Sequence, residues 1–179
     1  MSFPSAFRRT VGLEGRYSNN PADSGGETMF GITVRVARAN GYAGPMDQMP
    51  IDTAREIYKK QYWDLLKLDQ IVVLSEKVAD ELFDTGVNCG VAVAGKFFQR
   101  ALNVFNKKGF MYADVMADGV VGPVTVAAFR LFMNNRGEQG EKVMLKALNG
   151  LQAARYIDLA EEREKDEEFV FGWILNRVD

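Results

Sequence analysis

The sequence predicts a mainly α fold, a helical bundle with one small antiparallel β-hairpin region near the N-terminus. Apolar residues recur at helical spacing through most of the 179 residues. The stretch from Tyr17 to Thr33 instead has no helical period and is rich in Asn, Asp, Ser and Gly. The chain is 47% hydrophobic and has one cysteine, Cys89, so packing and not an internal disulfide must stabilise the core.

The first helix is predicted to be short and to lie at the N-terminus. Its apolar side chains follow Ser2 at helical spacing, and they are Phe3, Phe7 and Val11. Gly12 and Gly15 are expected to end this helix, which puts Glu14 just past its last turn. The turn-rich stretch that follows is the part of the chain whose pattern favours a hairpin.

The segment after Thr33 is predicted to be helical. A short helix runs to Asn40-Gly41, and Asp52 opens a second one as its N-terminal cap. The side chains that this second helix is expected to bury are Ala54, Ile57, Tyr58, Tyr62 and Leu65.

The second half of the chain is predicted to contain four further helices. Ser75 caps a helix that Gly86 closes, a longer helix stops near Gly109, and Gly122-Pro123 opens the next one. The last helix spans about residues 138–165. The apolar faces of the first three include Val78, Leu82, Phe83, Phe97, Phe98, Ala101, Leu102, Phe105, Val126, Phe129 and Leu131.

The composition excludes several classes of chemistry. The chain has no histidine, which removes Ser-His-acid triads, Cys-His pairs and histidine-based metal sites, and we expect neither a metal nor another cofactor. The net charge of −2 argues against nucleic acid as a partner. No stretch reaches roughly 18 uncharged apolar residues, so we expect no stable membrane insertion.

Three side chains in and before the hairpin region are candidates for catalysis: Glu14, Asp23 and Thr28. They are nine residues (14 to 23) and five residues (23 to 28) apart on a ribbon that can fold back over the first helix. Hydrolysis of a glycosidic bond needs a protonated carboxyl beside the leaving oxygen, and usually a second carboxylate that activates water or stabilises the transition state. Thr28 can hold the attacking water beside Asp23. Glycines at 25, 26 and 31 let the backbone approach a sugar closely.

Taken singly, each of these residues has a purely structural explanation. Glu14 is then an exposed residue after a helix, Asp23 a turn former, Thr28 a strand residue and Gly25-Gly26 a hairpin tip. Their joint arrangement is what favours a glycosidase site.

Residues 14–33 resemble the glycoside hydrolase family 108 muramidases. The stretch reads Glu14-Gly15-Arg16-Tyr17-Ser18-Asn19-Asn20-Pro21-Ala22-Asp23-Ser24-Gly25-Gly26-Glu27-Thr28-Met29-Phe30-Gly31-Ile32-Thr33. It departs from the family's pattern at Arg16, where Gly is common, and at Asn20, where Asp is common.

The resemblance implies an α+β lysozyme-like fold and identifies Glu14 as the general acid. A similar order of Glu, Asp and Thr in phage-type lysozymes gives Asp23 and Thr28, by a weaker analogy, the second-carboxylate and water-holding roles. The substrate-binding residues expected around them are Tyr17, Gly25, Gly26, Phe30 and Asn88.

The remainder of the chain looks like the peptidoglycan-binding region that these proteins carry after the catalytic part. The segments that carry this likeness are 84–90, 98–103, 118–125 and 171–178. We therefore expect a catalytic part at 1–90 and a peptidoglycan-binding-like helical part at 91–179, packed as one globular unit. By physics alone Asp118-Gly119 is a turn and Gly122-Pro123 a helix start, so direct ligand contact there does not follow.

The function that these observations favour is hydrolysis of the β-1,4 bond between N-acetylmuramic acid and N-acetylglucosamine in bacterial peptidoglycan, causing cell lysis. One alternative is a lytic transglycosylase, and another is a non-catalytic wall-binding or secretion-assisting protein. Asp23 and Thr28 favour hydrolysis over transglycosylation.

The expected setting is that of a bacteriolytic endolysin. We expect a monomer that is made in the cytoplasm without a signal peptide, because the first residues lack an apolar core. It then acts in the periplasm and cell wall, which suits a phage enzyme released by a holin. A bacterial or prophage origin fits equally well.

Overall fold

Helix α1 spans Phe3–Val11 in the computed structural model, which describes residues 3–12, 17–19 and 26–178. The ring of Phe7 is fully buried and packs edge-on against Tyr58, with ring centroids 5.4 Å apart. Gly12 has a φ of 82° and donates its N–H to the carbonyl oxygen of Arg8 at 3.1 Å, so it ends the helix as predicted.

A two-stranded antiparallel hairpin follows, with β1 at Thr28–Met29 and β2 at Ile32–Thr33. The turn between the strands is Phe30-Gly31, and both residues have positive φ, 52° and 74°. Two left-handed residues in a two-residue loop match the twist of the flanking strands. The small hairpin expected from the polar stretch is confirmed in the part of that stretch that the structure describes.

Helix α2 at Val34–Ala39 begins directly after the hairpin, because the hydroxyl of Thr33 accepts the Val36 N–H at 3.3 Å. A 3₁₀ turn follows at Met46–Gln48, and helix α3 at Ile51–Tyr58 continues into a π-helical turn at Lys59–Trp63. The apolar core of this part contains Ala6, Phe7, Ile32, Ala37, Met46, Met49, Ala54, Ile57, Tyr58 and Trp63.

Two predictions for the region around α3 were wrong. Asp52 does not cap α3: it lies in the first turn, where its carboxylate pairs with Arg55 at 2.6 Å. Leu65, expected to be buried, is 55% exposed. The π-helical turn adds residues per turn and shifts the apolar face, so Trp63 is buried and Tyr62 only half-buried.

The second half of the chain begins with the single turn of α4 at Leu68–Ile71. Three long helices come next, α5 at Glu76–Cys89, α6 at Val91–Phe105 and α7 at Pro123–Glu162. A 3₁₀ turn at Glu164–Asp166 leads into α8 at Glu167–Arg177. Helices α5, α6 and α7 pack on one another and bury Leu82, Phe83, Phe98, Leu102, Phe129 and Phe132.

The prediction for α5 was correct at its N-terminus and wrong at its C-terminus. Its N-terminus is capped as expected, because the Ser75 hydroxyl accepts the Val78 N–H at 3.1 Å. Gly86 does not close it. A Cβ at Gly86 would lie 2.9 Å from a methyl carbon of Leu66, so this glycine allows close packing inside the helix. The helix ends three residues later, before Gly90, whose φ is 99°.

Helix α7 is interrupted at Gly137, whose φ of 52° and ψ of −142° are not helical. The interruption separates a segment that starts at Pro123 from one that continues to Glu162, and these correspond to the last two helices predicted. Proline is in the first turn after Gly122, as expected.

The loop before α7 is held against α6 by the buried Gln99. Its side-chain oxygen accepts the Gly119 N–H at 2.8 Å, and its amide group donates to the Val120 carbonyl oxygen at 3.0 Å. A Cβ on Gly119 would lie 2.4 Å from the Ala92 carbonyl oxygen, so only glycine fits there. The turn predicted at Asp118-Gly119 is therefore present and tightly packed.

The predicted fold class is confirmed, since the described chain is mainly helical with one small antiparallel sheet. Packing divides the chain into two compact units, Met1–Asp64 and Leu65–Asp179. Within the described residues, no helix combines the length and apolar character needed to cross a membrane.

Candidate active site

The structure describes four of the seven predicted site residues near the hairpin. Thr28 is in β1, Phe30 is in the turn, and Tyr17 and Gly26 flank the strand pairing; Tyr17 is 42% exposed. The other three predicted residues, Glu14, Asp23 and Gly25, lie outside the described residues.

Thr28 is in the middle of three paired segments. Its N–H donates to the Ser18 carbonyl oxygen at 2.8 Å, and the Ser18 N–H donates to the Thr28 carbonyl oxygen at 3.0 Å. On its other side Thr28 pairs with Thr33 of β2. Side chains directly opposite each other in an antiparallel sheet share a face. Ser18, Thr28 and Thr33 therefore form a hydroxyl row, with Thr28 at its centre.

The hydroxyl groups of this row have different surroundings. Thr33 uses its hydroxyl oxygen to accept the Val36 N–H, which begins α2. Ser18 is exposed and Thr28 is half-buried. A hydroxyl can donate one hydrogen bond and accept two, so the row can bind water or the hydroxyl and acetamido groups of a sugar.

The tip of the hairpin is attached to α3 by one hydrogen bond. The Tyr58 hydroxyl donates to the Phe30 carbonyl oxygen at 3.0 Å. Gly31 lies against the same hydroxyl, since a Cβ there would be 3.0 Å from the Tyr58 oxygen. Burial, and then the neighbouring Tyr62, raise the pKa of Tyr58 to about 12, so its hydroxyl keeps its proton and its role as donor.

The same tyrosine also contacts α1, the helix that precedes Glu14 in the sequence. Tyr58 packs against Phe7 on one side and stacks on Tyr62 on the other, with a centroid distance of 5.3 Å. The Arg55 guanidinium lies over the Phe7 ring at 5.9 Å. One side chain thus anchors both the helix before Glu14 and the hairpin that carries Thr28.

Sequence reasoning did not identify Ser18, Thr33 and Tyr58 as parts of this region. Tyr58 was recognised only as a buried helix residue, and no sequence signal shows where its hydroxyl points. Ser18 and Thr33 become neighbours of Thr28 through strand register, which the polar stretch leaves open.

Asn88, the remaining predicted substrate-binding residue, belongs to the second unit. It is exposed in the last turn of α5 and donates its side-chain amide to the Asp84 carbonyl oxygen at 2.8 Å. It lines a cavity of about 290 Å³ together with residues of α7, α8 and the 3₁₀ turn between them.

No metal centre is evident in residues 3–12, 17–19 and 26–178, where no three Cys, Asp or Glu side chains are placed to bind an ion together. The described part of the hairpin site offers hydroxyl and backbone groups and the half-buried Glu27 to a ligand, whereas the predicted Glu14 and Asp23 lie outside the described residues. Such a set suits acid and base chemistry on a neutral, hydroxyl-rich substrate.

Comparison with known proteins identifies the class of enzyme. Residues 7–90 match the family described as Glycosyl hydrolase 108, and residues 93–178 match a Predicted Peptidoglycan domain. The chain therefore combines a glycosyl hydrolase 108 region at 7–90 with a peptidoglycan domain at 93–178. It is a glycoside hydrolase that acts on peptidoglycan in the role of a muramidase, as the sequence predicted.

The fold is shared with a solved structure. SagA of Brucella abortus superposes with a TM-score of 0.61 at 20% sequence identity, over 96% of this chain and 95% of that one. This similarity supports the lysozyme-like fold class. A search of curated protein sequences gives no significant match.

The boundary between the two families differs from the boundary between the packed units. The families meet between residues 90 and 93, whereas packing divides the chain after Asp64. Helix α5 therefore belongs to the hydrolase family by sequence and packs with α6 and α7 in the second unit.

Proposed function

We propose that Glu14, Asp23 and Thr28 together hydrolyse the β-1,4 bond between N-acetylmuramic acid and N-acetylglucosamine. Glu14 protonates the leaving oxygen, Asp23 accepts a proton from water, and Thr28 orients that water through its hydroxyl. The observation that supports this best is the central position of Thr28 in the hydroxyl row, inside the region that matches the hydrolase family.

The strand pairing gives Thr28 a constrained position. Its backbone is hydrogen-bonded to Ser18 on one side and paired with Thr33 on the other. The turn next to it is attached to Tyr58. A water bound to the Thr28 hydroxyl would keep its place relative to the scissile bond, and such positioning lowers the entropic part of the barrier.

The assignment of Glu14 as general acid is tested by Glu14→Gln, which keeps the size of the side chain and removes the proton that it transfers. We expect turnover of purified sacculi to fall by at least ~10²-fold, the scale of general acid catalysis, with an unchanged melting temperature. Glu27→Gln makes the same chemical change at a nearby position outside the proposed set and should stay close to the parent rate. A folded Glu14→Gln protein that digests sacculi at the parent rate would contradict the assignment.

A lytic transglycosylase is the first alternative, and product mass separates the two reactions. Hydrolysis adds one water to each cleaved bond, whereas transglycosylation closes the muramic sugar on itself and adds none. A site that holds water favours hydrolysis. Mass spectrometry of the products from the parent chain should therefore show reducing muropeptides, and anhydro products would establish the alternative.

A non-catalytic wall-binding or secretion-assisting protein is the second alternative. Such a protein would bind sacculi without releasing soluble fragments, and Glu14→Gln would then change nothing. The parent chain should instead clear a suspension of outer-membrane-permeabilised bacteria. This assay also tests the bacteriolytic activity that we propose.

We propose the cellular setting of an endolysin, including a phage origin: synthesis in the cytoplasm, release through a holin-type pore and action on the wall as a monomer. Expression in bacteria with and without a holin tests the route, since lysis should require the holin. We also propose that residues 1–90 form the catalytic part and residues 91–179 the peptidoglycan-binding-like part, which the two family matches support. Size-exclusion chromatography tests the oligomeric state.

A further inference from the structure

The second unit has a cavity where the C-terminal ends of α5 and α7 meet α8. Its volume is about 290 Å³, near the lower end of the roughly 300–1,000 Å³ typical of small-ligand sites. The residues that line it are Asn88, Tyr156, Leu159, Arg163, Asp166 and Trp173. A cavity of this size fits one sugar unit of a longer strand.

One wall of the cavity is aromatic. The indole of Trp173 is half-buried and lies parallel to Phe169, with centroids 6.1 Å apart and an interplanar angle of 19°. The indole also packs against the ring of Tyr156, with ring centroids 5.4 Å apart. These contacts fix the orientation of the indole before a ligand arrives. An aromatic face attracts the slightly positive C–H groups of a pyranose ring, as it attracts other positive edges.

The floor and rim of the cavity have polar side chains. The Tyr156 side chain is 2% exposed, and its buried hydroxyl is hydrogen-bonded to the weakly polar Cys89 thiol. At the rim, the Asn88 amide donates only to the Asp84 carbonyl oxygen. Because Asn88 is exposed, its side-chain oxygen and its second amide hydrogen can bond to a ligand.

The charges at the cavity are balanced. Arg163 pairs with the buried Asp166 at 2.5 Å, and Arg177 pairs with Asp84 at 3.0 Å beside Asn88. No cation lining the cavity lacks a carboxylate partner. The cavity therefore suits a neutral, polar ligand better than the anionic stem peptide of the cell wall.

We propose that this cavity binds a neutral N-acetylated amino sugar of the glycan strand, which rests on the proposed function that peptidoglycan is the substrate. Trp173 covers one face of the sugar ring, while Asn88 hydrogen-bonds to its acetamido or hydroxyl groups. Binding here holds a glycan strand at a second point outside the hairpin site.

The test measures binding of tri-N-acetylchitotriose to the full chain in a Glu14→Gln background, which suppresses hydrolysis of the probe. Calorimetry gives the affinity, and fluorescence reports on Trp173, because the only other tryptophan, Trp63, is 1% exposed. Saturable binding with a change in fluorescence is expected. Trp173→Ala should weaken this binding about tenfold and Asn88→Ala about threefold, as expected for one lost stacking contact and one lost hydrogen bond.

Two matched controls separate the cavity from the rest of the surface. Phe171→Ala removes an aromatic side chain that is 76% exposed on the same helix as Trp173 and does not line the cavity. Asn135→Ala removes an exposed amide that, like Asn88, donates to the carbonyl oxygen four residues earlier. Both controls should bind the sugar within twofold of the background protein.

The inference is overturned if the sugar does not bind, if Trp173→Ala and Asn88→Ala bind it normally, or if the free stem peptide binds there in its place. If Trp173→Ala fails to fold, the sugar affinity of the Asn88→Ala variant decides the outcome, because Asn88 is exposed. The parent chain is assayed on sacculi in parallel. Hydrolysis without sugar binding at the cavity refutes only this inference, whereas sugar binding without hydrolysis refutes only the muramidase mechanism.

Discussion

The Tyr58 hydroxyl donates a hydrogen bond to the Phe30 carbonyl oxygen at 3.0 Å across 28 residues of sequence. Phe30 is in the turn of the hairpin with a φ of 52°, and Tyr58 is the last residue of α3. The bond joins the hairpin that carries Thr28 to the helical core of the first unit. The geometry of the hydroxyl row therefore depends on a side chain that is itself outside the row.

Tyr58→Phe removes this hydrogen bond and leaves the buried ring in place. We expect unfolding to become about 1 kcal/mol more favourable, the usual net value of one hydrogen bond, and muramidase activity to fall because the turn loses its attachment. Tyr42→Phe is the matched control, since its hydroxyl donates to the Pro45 carbonyl oxygen at 2.7 Å in an exposed position. Thermal melts and sacculus digestion should show a larger loss for Tyr58→Phe, and equal losses would contradict the prediction.

Gly31→Ala tests the contact between the turn and Tyr58. The new Cβ meets the Tyr58 oxygen at 3.0 Å, and the φ of 74° is strained for alanine. We expect a loss of about 1–2 kcal/mol from strain, with a further loss from the contact. Gly41→Ala has the same kind of strain at a φ of 87° with open space around its Cβ. The difference in unfolding free energy between the two variants measures the cost of the contact with Tyr58. Equal free energies would contradict the prediction, because the turn would then have moved away from Tyr58 at no cost.

Thr28 and Thr33 are neighbours in the hydroxyl row that should respond in opposite ways. Thr28→Val keeps the shape of the side chain and should lower turnover at least ~10-fold with little change in stability. Thr33→Val removes the cap of α2 and should cost about 1 kcal/mol of stability, while the folded protein keeps its turnover. Denaturation midpoints and rates on sacculi measure both. An active Thr28→Val enzyme would remove Thr28 from the mechanism.

Four tyrosines should titrate late in alkaline solution, because burial raises the pKa of Tyr58, Tyr62, Tyr112 and Tyr156. Burial raises the pKa of Tyr58 and of Tyr112 from the ordinary value near 10 to about 12. A group whose pKa is higher in the folded chain stabilises the fold fully below its unfolded pKa, so this contribution is lost as the pH rises from about 10 through 12. Ultraviolet titration of tyrosinate should show a late step that shrinks in Tyr58→Phe. Complete ionisation near pH 10 in the folded protein would contradict this.

The sequence predicted those parts of the fold that depend on local signals. The Gly12 stop, the Ser75 cap and the proline start of α7 were predicted correctly because each depends on one residue with a strong local preference. The exposure of Leu65 was not predicted, since a π-helical turn has no comparable signal. Gly86 was mistaken for a helix end. A glycine is needed there because Leu66 packs closely against it, and such a tertiary contact has no local sequence signal.

The candidate site followed the same pattern. Thr28 could be proposed from its spacing and its family motif, and the hairpin that carries it is present. Its neighbours Ser18 and Thr33, and its indirect attachment to Tyr58, depend on strand register and on the packing of α3. Register and packing arise from the whole chain, which a motif does not describe.

Helix α5 constrains how such enzymes can exchange parts during evolution. A cut at the family boundary would leave α5 without α6 and α7 and bring its buried Val78, Leu82 and Phe83 into water. Such a piece would aggregate before it could be selected for activity. An exchange of wall-binding modules would therefore have to carry α5 along, or replace its partners with a surface that buries the same three side chains.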